Sequence, residues 1–122
     1  MSDIAAGELM KTGDTNRALA LLQEAVRQAP DMAMIRTHLG LVYFSQRRYD
    51  EAIAELQESI RRHPNEAEAH NNLGVVYAQV GQIDKAAASY REAIRLRPTY
   101  ETPRQNLAGL GAGAAATAPA KP

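Results

Sequence analysis

The chain has no cysteine and no tryptophan, a single phenylalanine, and no excess charge of either sign, since 14 acidic residues match 14 basic ones. Without thiols there is no disulfide, no thiolate metal site and no cysteine nucleophile. Balanced charge creates no broad positive field for nucleic acid or anionic lipid. No apolar run approaches the roughly 20 residues that span a bilayer. The opening Met1-Ser2-Asp3-Ile4-Ala5-Ala6-Gly7-Glu8 carries acids where a secretion signal carries bases. These absences lead to the expectation of a soluble, cytoplasmic protein with no nucleic-acid partner and no membrane insertion. At 122 residues there is room for one domain with a modest core. Few aromatics and abundant alanine suit closely packed helices.

Chemistry-bearing constellations are also missing. The three histidines, His38, His63 and His70, stand at no recognised metal spacing, and there is neither an HExxH nor a GxGxxG segment. Gly111 and Gly113 lie in an Ala/Gly/Pro stretch that builds no phosphate loop. The carboxylates Glu51, Glu55, Glu58 and Glu92 alternate with Arg61, Arg62, Arg91 and Arg95. That alternation is the signature of a solvated helix face, and Glu58 with Arg62 forms an i,i+4 pair. The expectation is therefore no enzyme, no cofactor and no metal.

What is present is a repeat. Pro30, Pro64 and Pro98 stand 34 residues apart, twice running. Aligning on them brings Ala18, Ala52 and Ala86 together, then Leu22, Leu56 and Tyr90, then Ala25, Ser59 and Ala93. Leu39-Gly40-Leu41-Val42-Tyr43 returns as Leu73-Gly74-Val75-Val76-Tyr77. Each repeat reads as a helix A, a tight turn and a helix B. Asp31 and Asn65 follow prolines as candidate N-caps, and Asn65 with Glu68 reads as a capping box; Thr99 stands in the same place before the last helix. Gly13 and Gly81 fall at the A-to-B turn, where a left-handed residue ends a helix, and Arg47 replaces them in the middle repeat at a cost of about 1 kcal/mol. Gly40 and Gly74 inside the A helices suggest a close crossing with the small Ala52 and Ala86 of the B helices. Tyr43, Leu56, Tyr77 and Tyr90 are then expected to fill the space between hairpins.

These residues resemble the tetratricopeptide repeat family, whose pattern is Trp, Leu-Gly, Tyr, Ala, an aromatic, Ala and Pro. Arg36 and His70 take the Trp position, Ala5-Ala6 stands for Leu-Gly in the first repeat, and Leu107-Ala108 stands there in an incomplete fourth. The resemblance implies an all-α, right-handed α-solenoid of three helix-turn-helix hairpins, about residues 1–32, 33–66 and 67–100, with a capping helix at about 100–110. The low-complexity residues 111–122 are expected to be a disordered tail.

The resemblance further implies that the A helices line a concave groove. In the second repeat its positions are Met34, Thr37, His38, Leu41, Phe44 and Ser45. In the third they are Glu68, Asn71, Asn72, Val75, Ala78 and Gln79, and in the last helix Thr102, Gln105 and Asn106. The first repeat offers Asp3, Ile4, Gly7, Met10 and Lys11. Two features stand out: a polar ladder of His38, Asn72 and Asn106, able to donate to and accept from a peptide backbone, and an apolar strip of Met34, Leu41, Phe44 and Val75. The function implied is a protein-interaction module, a scaffold or adaptor holding a peptide or helix segment. Family adaptors that grip an acidic chain terminus use Lys, Arg and Asn where this chain has Asp3, Gly7, His38, Glu68 and Asn72, so no basic clamp is expected. The other class is a self-assembling structural subunit, a homo-oligomer joined through exposed repeat ends.

Overall fold

A computed structural model describes residues 14–117, with side chains to Gly111. Six helices and no strands occur among the described residues: α1 (Thr15–Gln28), α2 (Ala33–Ser45), α3 (Tyr49–Arg62), α4 (Ala67–Gln79), α5 (Ile83–Leu96) and α6 (Glu101–Thr117). None is long and apolar enough to cross a membrane. In repeat terms α2, α4 and α6 are A helices, and α1, α3 and α5 are B helices. The chain separates into two compact units, Met1–Pro64 and Asn65–Pro122. Hairpin contacts are local in sequence, so each unit holds a core of its own. In the first unit α2 packs on both α1 and α3; in the second α5 packs on both α4 and α6.

The helices stop where the repeat demands. Arg47 has φ of 62° and Gly81 φ of 85°. After α2 the Arg48 N–H donates to the Tyr43 carbonyl at 2.9 Å, and after α4 the Gln82 N–H donates to Tyr77 at the same distance. This six-to-one bond closes the last turn around a left-handed residue. Each B helix ends in an N–H bonded four residues back (Ala29 to Ala25, His63 to Ser59, Arg97 to Ala93), and proline follows. Charge suits the helix dipole in α3, with Asp50 and Glu51 in its first turn and Arg61 and Arg62 in its last.

The starts of the A helices differ from the sequence expectation. Asp31 and Asn65 lie in turns; the residues preceding the helices are Met32 and Glu66, and neither makes a side-chain cap hydrogen bond. The capping box of Asn65 and Glu68 does not form. The reason is the turn after each proline, which places the helix start two residues later, so Glu68 sits in the first turn.

At Gly40 the expected close approach to Ala52 is present, its carbonyl oxygen lying 3.4 Å from where a β-carbon would stand, but at both glycines the nearest atoms belong to a large side chain. A β-carbon on Gly40 would lie 2.8 Å from Leu56 Cγ, and one on Gly74 only 2.6 Å from Tyr90 Cε1. Each glycine makes room for a large side chain one turn beyond the alanine, inside the hairpin rather than between hairpins. Ala52 and Ala86 are fully buried beside these contacts. Covering a side chain such as Leu56 is worth about 1.5–3 kcal/mol, which outweighs the roughly 1 kcal/mol that glycine costs within a helix.

At the C-terminal end, α6 continues to Thr117, seven residues past Leu110 and into the segment read as tail. Alanine, the best helix former, fills most of that stretch and offsets its glycines. Arg104 ties the start of α6 down by donating from Nε and Nη2 to the Pro98 carbonyl at 3.0 and 2.8 Å. Residues 1–13, including Gly13, lie outside the described residues.

Candidate functional site

In the first unit, Met34, His38, Leu41 and Ser45 recur at helical spacing along one face of α2. Met34 retains 36% exposure and His38 is exposed, while Leu41 and Phe44 are half-buried. The Phe44 ring lies 5.6 Å from that of Tyr49 at a tilt of 53°, so the first residue of α3 holds it in place. Ser45 donates to the Val42 carbonyl at 2.7 Å, which closes its hydroxyl on its own helix. Thr37 is 2% exposed. Its hydroxyl lies 3.0 Å from Ser59 Oγ, and Ser59 in turn donates to the Ala33 carbonyl at 3.1 Å. Thr37 therefore pins α2 to α3 and faces away from any partner, contrary to its assignment to the groove.

The second unit presents a more polar face. Asn72 and Val75 on α4 are half-buried and Gln79 is exposed, with Glu68 and Ala78 partly covered beside them. On α6, Thr102 and Gln105 are exposed and Asn106 is half-buried. Asn71 is only 4% exposed. Its Oδ1 accepts from Asn106 Nδ2 at 3.1 Å, and it also hydrogen-bonds the Tyr100 hydroxyl. Asn71 thus joins α4 to α6 and is unavailable to a partner, which corrects its reading as a groove residue. Asn106, the last rung of the ladder, spends one amide hydrogen on it. Burial pushes the Tyr100 phenol above its usual range, and the nearby Glu68 carboxylate pushes the same way. Asp3, Ile4, Gly7, Met10 and Lys11 lie outside the described residues.

Sequence reading missed three contributors. Tyr49 backs Phe44; the five-residue spacing across a turn hides the pairing. Tyr100 closes the Asn71 cluster. Arg36, at the family's Trp position, is largely buried, with Nη1 3.4 Å from Glu55 and Nε without a hydrogen-bond partner. The B-helix surfaces carry ion pairs instead. Glu58 accepts from Arg61 and Arg62, which hold its carboxyl down at about 2, and Glu92 is lowered in the same way by Arg95. Among the described residues, no three histidine or carboxylate side chains gather to hold a metal ion.

The tetratricopeptide repeat family model matches residues 5–64 and again 39–101. The chain belongs to this family. Tetratricopeptide repeat domains of similar fold include the first such domain of human RPAP3, at a TM-score of 0.83 and 14% identity over 90% of this chain and 87% of that one. The first such domain of Spaghetti (RPAP3), bound to the HSP90 peptide SRMEEVD, scores 0.80 at 15% identity, over 89% and 86%. MamA scores 0.78 at 28% identity, over 88% of this chain and 63% of MamA. No curated protein matches the chain in sequence.

Proposed function

We propose that this tetratricopeptide repeat chain is a scaffold or adaptor that binds a peptide or helical segment along its A helices. The observation carrying the proposal is the α2 face, where Met34, Leu41 and Phe44 keep apolar surface open beside His38. Open apolar surface of this kind suits an apolar side chain of a partner. The second unit offers hydrogen bonding from Asn72, Gln79, Gln105 and Asn106, with Val75 as its apolar contact. A backbone segment presents both donors and acceptors, and amide side chains answer both.

A related fold holding a peptide supports the class of ligand. The peptide itself is a different matter. SRMEEVD carries acids at its end, and the described residues at this chain's corresponding positions are His38, Glu68 and Asn72. An acidic terminus would meet Glu68 and no basic clamp, so the proposed ligand is neutral or apolar. Affinity capture from the native host, with Phe44→Ala as the control, tests the reading. A partner retained by the wild type and lost by the variant supports it; partners held equally by both count against the α2 face.

A further inference from the structure

The expectation of no metal rested on thiols and on histidine spacing, and thioethers lie outside it. Five large apolar side chains remain exposed among the described residues. Two of them, Met32 at 55% and Met34 at 36%, are methionines at the start of α2. One turn beyond Met34 stands His38, also exposed. Residues four apart on a helix share a face, with β-carbons about 5–6 Å apart. The flexible Met34 thioether and the His38 imidazole are therefore near enough to close on one ion.

The histidines differ in how they are engaged. His63 Nε2 lies 2.6 Å from the Asp31 carbonyl, and His70 is close enough to Glu92 to help lower its carboxyl. His38 has no hydrogen bond or ion pair among the described residues, so its ring nitrogens stay open to a ligand. The turn before α2 is also fastened. Arg62 Nη1 donates to Asp31 Oδ1 at 2.8 Å, beside the His63 contact. Met32 follows in extended backbone, outside the helix. Its side chain is not tied to the helical spacing that separates residues two apart, and it can supply a third donor.

Two thioethers and an imidazole are neutral, soft to intermediate donors, the set that favours Cu(I) over calcium or magnesium. Charge points the same way. The N–H groups at the start of α2 oppose a nearby cation, and they oppose a monovalent ion less than a divalent one. The one arginine of α2, Arg36, is largely buried against Glu55 and adds no exposed cation to this face.

We propose that Met34 and His38, with Met32 as third donor, bind one Cu(I) ion. The site needs no protein partner, so it stands or falls apart from the peptide reading, although both use the α2 face.

Isothermal titration of Ag(I), a redox-inert stand-in, into the full chain in chloride-free buffer is the test, with competition for Cu(I) against bicinchoninate under ascorbate. One ion should bind per chain. Met34→Leu and His38→Gln should each weaken binding at least about tenfold, and Met32→Leu by a smaller factor. Met10→Leu and His70→Gln should bind as the wild type does. Helix content by circular dichroism should be unchanged in the Met34 and His38 variants, because both side chains are exposed. Methionine methyl signals in nuclear magnetic resonance give a direct readout of the donors: Met34 should shift on adding Ag(I), and Met10 should not. The proposal is overturned by any of three results: no saturable binding, affinity unchanged by both Met34→Leu and His38→Gln, or a methyl shift at Met10 with none at Met34. Zn(II) binding as tight as Ag(I) contradicts a soft-donor site.

Discussion

The hairpins α2–α3 and α4–α5 occupy the same register and reach the same fold by different chemistry. Over its glycine the first sets a leucine, the second a tyrosine ring. A hydroxyl chain from Thr37 through Ser59 to the Ala33 carbonyl fastens the first; in the second, Ser59 becomes Ala93 and Asn71 turns to Asn106 and Tyr100 on other elements. The turn is left-handed at Arg47 in one and at Gly81 in the other. Outward, α2 offers Phe44 where α4 offers Ala78. The repeat thus specifies where a side chain must be large, small or left-handed, and leaves the polarity of the exposed A face free to vary.

The comparison breaks most sharply at the glycines. Gly74→Leu should destabilise by about 3 kcal/mol, because an aromatic ring fixed in a core cannot yield to an inserted side chain. Gly40→Ala should cost less than Gly74→Ala, since Leu56 can shift its branch, and Tyr90→Leu should recover much of the Gly74→Ala loss. Gly111→Leu should change almost nothing, since no atom lies within 4 Å of its missing β-carbon. Thermal unfolding followed by circular dichroism ranks all of these. Next comes the hydroxyl chain: Ser59→Ala strands the buried Thr37 hydroxyl and should cost about 1–3 kcal/mol in urea unfolding, while adding Thr37→Val should restore most of it. A smaller effect of opposite sign is expected at the turn. Arg47→Gly relieves a left-handed arginine and should stabilise by about 0.5–1 kcal/mol, after allowing for the extra freedom of glycine in the unfolded chain.

The smallest effect belongs to the surface. Glu58 is held at about 2 in the folded chain against an ordinary 4.5. A carboxyl lowered on folding contributes stability above its unfolded value and loses it as pH falls through the folded one. The stability difference between wild type and Glu58→Gln should therefore shrink as pH falls from 4.5 to about 2, and the same exposed pairs should weaken in salt.

Much of this fold was legible because proline, glycine and the Leu-Gly-x-x-Tyr run recur at one period, and a backbone turn or a missing β-carbon leaves a local mark. Helix starts were not legible: Asn65 and Glu68 have capping chemistry, but the turn at Pro64 decides where the helix begins. Nor did periodicity reveal that Thr37 and Asn71 point inward, since both are polar residues whose partners, Ser59 and Asn106, lie on other helices. Phe44, Met34 and Leu41 were legible as an apolar stripe, whereas the support of Tyr49 depends on how a turn folds back. α6 outran its expected end because a composition read as tail is also one of high helix propensity.

The central claim is that the open α2 face binds and the charged B helices do not. Isothermal titration of a captured partner against Phe44→Ala, Asn72→Ala, Arg91→Ala and Glu92→Ala tests it most directly. The account predicts a loss of about 2 kcal/mol or more for Phe44→Ala and about 0.5–1.5 kcal/mol for Asn72→Ala, with the two B-helix variants binding as the wild type does. Binding abolished by Arg91→Ala or Glu92→Ala and untouched by Phe44→Ala and Asn72→Ala would contradict it.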